Sequence, residues 1–294
     1  MFENDVLAQK RILITGGGTG LGKEMAEEYL RLGADVYICG RRKNVLDATA
    51  EQLMNKHGGS VKTFAVDIRQ ADRVDAMIEE IWEDGPLTGL VNNAAGNFLS
   101  RTKDLSPRGF DAIANTVLHG TFYVTHAVGR RWIEGGHRGS IISIVVTWVW
   151  TGSPFVVPSA MSKAGIDVMT KSLAVEWGPH GIRLNAIAPG PFPTEGASTR
   201  LSPGMDKSGM FAGAGAMTPL GRTGEMQELK NLATFLMADG CEYLTGQTIA
   251  IDGAGYLANG GGFNQLRNLS DRDWDKIRDM IKSQNERDKS QRSV

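Results

Sequence analysis

Short apolar stretches alternate with longer amphipathic stretches along most of the chain. Seven short stretches, rich in β-branched and other apolar residues, predict β-strands: Arg11–Thr15, Val36–Cys39, Val61–Val66, Leu90–Asn92, Ser140–Val146, Ile182–Ala188 and Thr248–Asp252. Between them, apolar residues at helical spacing predict helices near Leu21–Leu32, Asn44–Lys56, Ala71–Asp84, Phe110–Glu134, Ser159–Glu176 and Glu225–Met237. Regular alternation of strand and helix favours a parallel sheet with crossover helices on both faces.

The expected fold class is therefore α/β, a single doubly wound Rossmann domain over residues 1–269 with a seven-stranded, mostly parallel sheet. Two segments depart from the alternation. Residues 189–217 are rich in Gly, Pro, Ser and Thr, which predicts a mobile loop that closes over a substrate. Residues 270–294 start with the candidate N-cap Ser270 and become highly charged, which predicts a C-terminal surface helix and a solvated tail.

Composition and charge narrow the class of partner. Of the 294 residues, 41% are hydrophobic and 22% are charged, which is ordinary for a soluble globular protein and excludes collagen-like and disordered chains. Thirty-two basic and 33 acidic residues give a net charge of -1, so we expect no nucleic acid and no membrane surface as partner. The longest apolar run, residues 141–150, is about half of the ~20 residues needed to span a bilayer.

The N-terminus and the cysteines bear on location and metal content. The segment MFENDVLAQK has acidic residues where a signal peptide has basic ones and lacks an apolar core, so we expect a cytoplasmic protein. Cys39 and Cys241 are too few for a disulfide framework or a zinc site, so we expect no metal.

A glycine-rich segment follows the first predicted strand directly and opens the first predicted helix. Its members are Gly16, Gly18, Thr19, Gly20, Leu21 and Gly22. Glycines allow the backbone to turn tightly and approach a pyrophosphate, which the free N–H groups and the helix dipole stabilise. A tight strand-to-helix turn without a ligand is the alternative, but the strand–turn–helix context favours dinucleotide binding.

The end of the second predicted strand indicates which dinucleotide. An NAD site usually has Asp or Glu there for the ribose 2′-hydroxyl, whereas an NADP site has Arg. This chain has Arg41 and Arg42 and no acid, so the sequence favours NADP(H), whose 2′-phosphate both side chains can bind. A solvated basic loop is the alternative interpretation.

Several motifs together resemble the short-chain dehydrogenase/reductase family over about residues 10–255. They are the Thr-Gly-x-x-x-Gly-x-Gly motif at 15–22, Asn-Asn-Ala-Ala-Gly at 92–96, Lys163, and Pro-Gly at 189–190, each after the strand where that family has it. Further stretches at 92–98, 116–122, 152–163, 189–201 and 262–267 resemble the 2,4-dienoyl-CoA reductase branch. That resemblance implies an oxidoreductase of fatty acid β-oxidation that acts on an acyl-CoA, assembled as a homotetramer through the helices at 110–134 and 159–177.

The resemblance also implies roles for individual residues. The implied cofactor contacts beyond the glycine-rich segment are Arg41, Arg42, Asp67, Ile68, Asn93, Lys163, Pro189, Gly190, Phe192 and Thr194. The implied acyl-CoA contacts are Arg69, Phe98, Ser106 and Arg200. Asn97, together with a tyrosine after the fifth strand, is implied to hydrogen-bond the thioester carbonyl.

The chain departs from the family at the catalytic acid. Ser159 stands where the family usually has tyrosine, as it does in the dienoyl-CoA reductase branch, but the branch's own tyrosine position is occupied by Trp148. Val146 stands where most family members have a catalytic serine. An indole N–H donates a hydrogen bond but does not act as an acid. Both usual proton donors are therefore missing.

The remaining chemistry points to four candidate catalytic residues: Lys163, Ser159, Asn97 and Trp148. Ser159 and Lys163 are four residues apart and so share one face of a helix, where Lys163 can stabilise an anion. The alternatives are an ordinary helix N-cap at Ser159 with a solvated Lys163, and Trp148 as an apolar wall residue. His119 is interpreted as a packing residue near the site.

These observations favour NADPH-dependent reduction of a 2,4-dienoyl- or enoyl-CoA thioester by hydride transfer. Two alternatives remain open: another dehydrogenase of the family that acts on a ketone or enone without CoA, and a nucleotide-binding protein impaired by Trp148. Phosphoryl transfer is excluded, because the glycine-rich segment lacks the Gly-Lys-Ser/Thr ending of a phosphate-binding loop.

Overall fold

The computed structural model describes residues 1–194, 215, 218–258, 266 and 268–290. Two compact units are present, Met1–Gly255 and Tyr256–Val294. Most of the segment 189–217, including the expected substrate contact Arg200, lies outside the described residues. The second unit contains a helix at Asp271–Ser290, where the sequence predicts one.

A seven-stranded sheet forms the centre of the first unit, and its strands occur in the order β3-β2-β1-β4-β5-β6-β7. Every pairing is parallel. The strands are β1 (Arg11–Thr15), β2 (Asp35–Gly40), β3 (Val61–Ala65), β4 (Gly89–Asn92), β5 (Gly139–Ile144), β6 (Ile182–Pro189) and β7 (Thr248–Ile251). The predicted α/β fold is confirmed, and the sheet is parallel throughout rather than mostly parallel.

Helices connect the strands and cover the sheet. In the first unit they are α1 (Gly20–Arg31), α2 (Lys43–His57), α3 (Ala71–Glu83), α4 (Pro107–Ala114), α5 (Gly120–Gly135), α6 (Trp148–Thr151), α7 (Val157–Trp177) and α8 (Met226–Met237). Two further helices of the described residues are α9 (Gly255–Ala258) and α10 (Asp271–Ser290). Of these, α1, α2 and α8 contribute side chains to one buried cluster, and α3, α5 and α7 contribute to a second.

Strand geometry explains why these two clusters are separate from each other. Side chains of successive strand residues point to opposite faces, so Ile12 and Ile14 of β1 join the first cluster while Leu13 joins the second. A strand buried on both faces reads as a continuous apolar run, which is how β1 reads in the sequence.

Two local features were not predicted. The single helix expected at Phe110–Glu134 starts earlier, at Pro107, and is interrupted by a π-helical turn at Asn115–His119. The strand expected to reach Val146 ends at Ile144, and the short helix α6 follows it. Both segments lie near the carboxyl ends of the strands. Their irregular backbone could not be predicted, because a hydrophobic pattern indicates only regular helices and strands.

Two kinds of feature are absent from the described residues, a membrane-spanning helix and a cluster of metal ligands. In the ranges given above, no helix is both long and apolar enough to cross a membrane. The same residues contain no cluster of three or more His, Cys, Asp or Glu side chains placed to bind a metal ion.

Candidate active site

The glycine-rich turn joins β1 to α1 at the point where the strand order of the sheet reverses. Gly16 and Gly20 have positive φ angles of 67° and 55°. A Cβ on Gly16 would lie 3.0 Å from the Cα of Ala94. Only glycine therefore fits at position 16 without strain. Because β1 and β4 are neighbours at this reversal, a crevice opens at their carboxyl ends, as in other doubly wound sheets.

Hydrogen bonds fix the glycine-rich turn to the end of β4. The Thr15 hydroxyl oxygen accepts the backbone N–H groups of Asn93 and Ala94, both at 3.0 Å. The Asn93 side-chain amide donates to the carbonyl oxygens of Thr15 at 3.0 Å and Gly16 at 3.3 Å. Asn93, expected to contact the cofactor, thus also holds the turn in its conformation.

A cleft of about 750 Å³ lies over this turn. Eleven of the expected cofactor contacts line it: Gly16, Gly18, Thr19, Gly20, Leu21, Arg41, Arg42, Asp67, Ile68, Asn93 and Thr194. The volume lies in the range of small-molecule and cofactor sites. The glycine-rich turn and the basic end of β2 fit a nicotinamide dinucleotide, whose phosphate groups are anionic.

The other expected cofactor contacts lie outside the lining of this cleft. Gly22 is in the first turn of α1, where a Cβ would collide with the carbonyl oxygen of Gly16. Pro189 ends β6, and the N–H of Gly190 donates to the carbonyl oxygen of Ile251 at 3.0 Å. Phe192 is buried beside a separate cleft of about 270 Å³.

Two expected ligand contacts pair with each other. The Arg69 guanidinium donates to both carboxylate oxygens of Asp67, with Nε–Oδ1 at 2.9 Å and Nη2–Oδ2 at 2.5 Å. This hydrogen bonding holds the pKa of Asp67 below its ordinary value. Arg41 also lines the cleft and adds a smaller contribution to that effect. The pair therefore presents little net charge to a ligand, and Arg41 and Arg42 are the exposed cations at the end of β2.

Lys163 is buried on α7, with 7% of its surface exposed. Its ammonium donates to the carbonyl oxygen of Ile144, the last residue of β5. Burial lowers the pKa of Lys163 from 10.5 to about 8. An ammonium has three N–H donors, so donors remain for a ligand beyond the Ile144 contact.

Ser159 lies one turn before Lys163 and is also buried. The N-cap of α7 is Val156, so Ser159 is inside the helix and is not its cap. The alternative interpretation, a capping serine with a solvated lysine, is wrong on both counts. Ser159 and Lys163 are thus two polar side chains in a buried stretch of helix. Burial of polar groups costs free energy unless they have hydrogen-bond partners, and such groups are common at functional sites.

Asn97 and Trp148 follow the neighbouring strands β4 and β5. The Asn97 side-chain oxygen accepts the backbone N–H of Phe98 at 2.9 Å. Its NH₂ group can therefore donate to another acceptor. Trp148 is half-buried and begins α6. Because the carboxyl ends of parallel strands meet at one edge of a sheet, Asn97 and Trp148 both follow the edge that bears the cleft.

The π-helical turn between α4 and α5 is a feature of the site that sequence reasoning missed. Thr116, inside this turn, lines the cleft, and the N–H of Gly120 donates to the carbonyl oxygen of Asn115. Such turns are rare and often occur at functional sites. His119 ends the turn and is exposed, and its ring centroid lies 6.3 Å from that of Tyr123.

The remaining expected substrate contacts are Phe98 and Ser106. The Ser106 hydroxyl caps α4 by accepting the N–H of Gly109 at 3.1 Å, a structural role that the sequence analysis did not assign. Phe98 is exposed beside Asn97.

Comparison with known proteins gives relatives over nearly the whole chain. The family described as enoyl-(acyl carrier protein) reductase matches residues 16–256. An uncharacterized oxidoreductase of Caenorhabditis elegans is 41% identical, over 95% of this chain and 90% of its own. A probable 2,4-dienoyl-CoA reductase, (3E)-enoyl-CoA-producing, from the same organism is 37% identical, over 98% of this chain and 94% of its own.

A solved structure agrees with these relatives. A short-chain dehydrogenase of Bacillus anthracis shares the fold with a TM-score of 0.76 and 40% sequence identity, over 85% of this chain and 98% of its own.

Proposed function

Because this chain belongs to the short-chain dehydrogenase/reductase family of oxidoreductases, which bind a nicotinamide cofactor, we propose that it uses NADPH to reduce a 2,4-dienoyl- or enoyl-CoA thioester. The observation that carries the proposal is the buried Lys163, one turn after Ser159, in a chain that matches a probable dienoyl-CoA reductase from end to end. A binding protein without catalysis has no need of a buried ammonium, whose desolvation costs free energy.

The choice of NADPH rests on the basic end of β2. Arg41 and Arg42 line the dinucleotide cleft, and no carboxylate follows β2 before Asp47. Asp67, the carboxylate in the cleft lining, is paired with Arg69. The two free guanidinium groups therefore favour a 2′-phosphate over a 2′-hydroxyl.

Reversal of charge at Arg41 should exchange the cofactor preference. In Arg41→Asp, the affinity for NADPH should fall by about 1.5–3 kcal/mol, the value of a lost charged hydrogen bond, and NADH should become the better ligand. Fluorescence titration of both cofactors measures this, with Arg138→Asp, an exposed arginine elsewhere, as the control for net charge. A wild-type protein that prefers NADH would contradict the NADPH assignment.

When bound, NADPH supplies the hydride that adds to the far end of the conjugated thioester. Hydride addition turns the substrate into an enolate-type anion whose negative charge is concentrated on the thioester oxygen. Preorganised donors directed at such an oxygen lower the barrier. We assign this role to the Asn97 amide and the Trp148 indole N–H, with the Lys163 charge as additional stabilisation.

A carbon of the anion must then receive a proton. Trp148 replaces the phenol of the dienoyl-CoA reductase branch, and an indole does not serve as an acid. We assign the transfer to the Ser159 hydroxyl or to a water relay beside it, made more acidic by the nearby Lys163 charge. Because Lys163 is buried, little water screens its charge, and its electrostatic effect on neighbouring groups is stronger than at the surface.

The proposed mechanism has a specific pH dependence. Burial holds the pKa of Lys163 near 8, so its ammonium is present below that pH and is lost above it. The value of kcat/KM should therefore decline as pH rises through about 8, as measured between about pH 6 and pH 10. In Lys163→Arg, the side chain stays charged throughout, and any residual activity should lack this decline. A wild-type profile that is flat through pH 8 would exclude Lys163 as the charged group.

A panel of substrates tests the reaction itself. We expect NADPH oxidation with 2,4-decadienoyl-CoA, and less or none with a ring ketone or cyclic enone of similar size. Trp148 favours the competing hypothesis, a substrate without CoA for which the indole is a wall. Trp148→Tyr separates the two: dienoyl-CoA turnover should stay equal or rise, whereas activity toward a substrate that needs the indole should fall. Loss of dienoyl-CoA turnover in this variant would favour the competing hypothesis.

We also propose that the protein assembles as a homotetramer through α5 and α7. Met161, Val168 and Val175 of α7 are exposed and recur every seven residues, which places them on one face of the helix, and Phe122 of α5 is exposed as well. Large exposed apolar residues in rows are typical of interfaces. Sedimentation equilibrium should give the mass of four chains, and a monomer at micromolar concentration would contradict the proposal.

A further inference from the structure

Four large apolar side chains are exposed in the two segments that bear Asn97 and Trp148, the loop after β4 and the stretch after β5 that starts with α6. They are Phe98 and Leu99 after β4, and Trp150 and Phe155 after β5. We call these four residues the apolar rim. Single exposed apolar residues are common on protein surfaces, but a group of four next to candidate catalytic residues indicates a binding surface.

A hydrogen bond holds the two segments of the apolar rim together. The N–H of Ser100 donates to the carbonyl oxygen of Phe155 at 2.9 Å. On the other side, the Phe98 ring lies over α4, since a Cβ on Gly109 would be 3.6 Å from Cζ of Phe98. The rim is a surface supported by its neighbours and not a pair of unconnected segments.

The backbone of Phe155 has an unusual conformation. Its φ angle is +65°, and within the described part of the chain only Gln9 and Ala254 are other non-glycine residues with positive φ. A bulky residue rarely adopts this conformation, because its Cβ comes close to the carbonyl oxygen. The ring does not compensate by burial, since 55% of Phe155 is exposed. Strain of this kind, with no packing benefit, is typical of ligand-contacting positions.

The four side chains of the rim are themselves uncharged. Arg101, the nearest basic residue after Leu99, is paired with Asp104 at 2.5 Å. An apolar ligand suits such a surface, and the rim residues follow β4 and β5, the same two strands that Asn97 and Trp148 follow.

We propose that the apolar rim binds the aliphatic part of the acyl chain and that Phe155 determines the preferred chain length, an inference that rests on the proposed function. The strained backbone at Phe155 presents the ring to the chain. A substrate whose tail reaches the ring gains apolar contact, and a shorter substrate does not. The enzyme accordingly favours medium and long chains over short ones.

The experiment compares dienoyl-CoA substrates of six, eight, ten and twelve carbons in four proteins: wild type, Phe155→Asn, Phe155→Leu and Phe235→Ala. Asparagine tolerates positive φ and removes the ring, leucine keeps an apolar side chain, and Phe235 is an exposed ring on α8 that serves as the control.

In the wild type, kcat/KM should rise by up to about fourfold per methylene over the lengths that reach the ring. In Phe155→Asn, the ten-carbon substrate should lose about tenfold, the effect of removing roughly 55 Å² of apolar contact, and the six-carbon substrate less than about twofold. Phe155→Leu should lie between, and Phe235→Ala should match the wild type. The melting temperature of Phe155→Asn should be equal or higher, because strain is relieved; a lower one, with an unchanged chain-length dependence, would indicate a structural role and overturn the proposal.

Binding of acyl-CoA by the rim can be tested without the reaction. Calorimetric titration measures the affinity for decanoyl-CoA, which has no double bond to reduce, and separately the affinity for CoA alone. We expect the wild type to bind decanoyl-CoA at least about tenfold more tightly than CoA, and Phe155→Asn to lose that difference. This result would support acyl-chain binding at the rim even if the protein did not reduce dienoyl-CoA. If wild type and Phe155→Asn reduce dienoyl-CoA with the same chain-length dependence, the proposed role of the rim is wrong and the proposed reaction is supported. A wild type that neither binds acyl-CoA nor reduces it would overturn both.

Discussion

Replacement of Lys163 by methionine or alanine should lower turnover of a dienoyl-CoA by about 10³-fold or more. The ammonium is buried, it is fixed by the carbonyl oxygen of Ile144, and it supplies the charge that stabilises the anion formed on the substrate. The same change should weaken NADPH binding, because Lys163 is expected to hold the cofactor. Steady-state kinetics with saturating NADPH, together with direct NADPH titration, separate the two effects.

Loss of folding does not explain the expected result. The lowered pKa of Lys163 shows that its charged form is disfavoured in the folded protein, so Lys163→Met should melt at the same or a higher temperature than the wild type. The stability gained in Lys163→Met should be present in full below about pH 8 and should shrink as pH rises from about 8 to 10.5, because the folded wild type then loses its proton while the unfolded chain still carries it. A variant that is stable and fully active would show that the site has been misplaced.

Ser159→Ala should lower turnover by about 10²-fold if the proton reaches the substrate through its hydroxyl, the usual contribution of a general acid. Ser162 offers a matched control on the same helix, because it is equally buried but its hydroxyl donates to the carbonyl oxygen of Pro158 at 2.7 Å. Ser162→Ala should therefore leave turnover unchanged. The comparison uses kcat in water and in deuterium oxide, since a defect in proton transfer should alter the solvent isotope effect.

Equal activity of the Ser159→Ala and Ser162→Ala variants would exclude Ser159 as the acid. The proton would then come from a water held by Asn97 or from His119. The exposed position of His119 makes it the weaker candidate.

Much of the fold follows from patterns that are local in the sequence. The strand β1 is bounded as predicted, at Arg11–Thr15, because a continuous apolar run between a basic residue and a glycine-rich turn has few alternatives. The glycine-rich turn was predictable for a related reason: the positive φ at Gly16 and the close approach of Ala94 require residues without a side chain. The motif set also predicts the family, which the relatives confirm.

Other features depend on contacts between distant residues and could not be predicted. The burial of Lys163 results from the packing of α7 against β5 and β6, and a lysine in a sequence reads as solvated. The Asp67–Arg69 pair competes with the ligand roles expected of both residues. Positive φ at Phe155 has no sequence signal, since phenylalanine is among the residues least suited to it.

Hydride transfer from NADPH to a thioester-conjugated diene leaves the transferred hydrogen at a defined carbon of the product, and that position can be measured with a deuterium label. NADPH carrying deuterium at the transferable position is mixed with 2,4-decadienoyl-CoA and wild-type protein, and the product is analysed by NMR and mass spectrometry. We expect an enoyl-CoA with one deuterium at C5, the far end of the diene, and a proton from solvent nearer the thioester. A thioester recovered without deuterium, while the same protein oxidises NADPH with a ring ketone or cyclic enone, would contradict the proposed reaction.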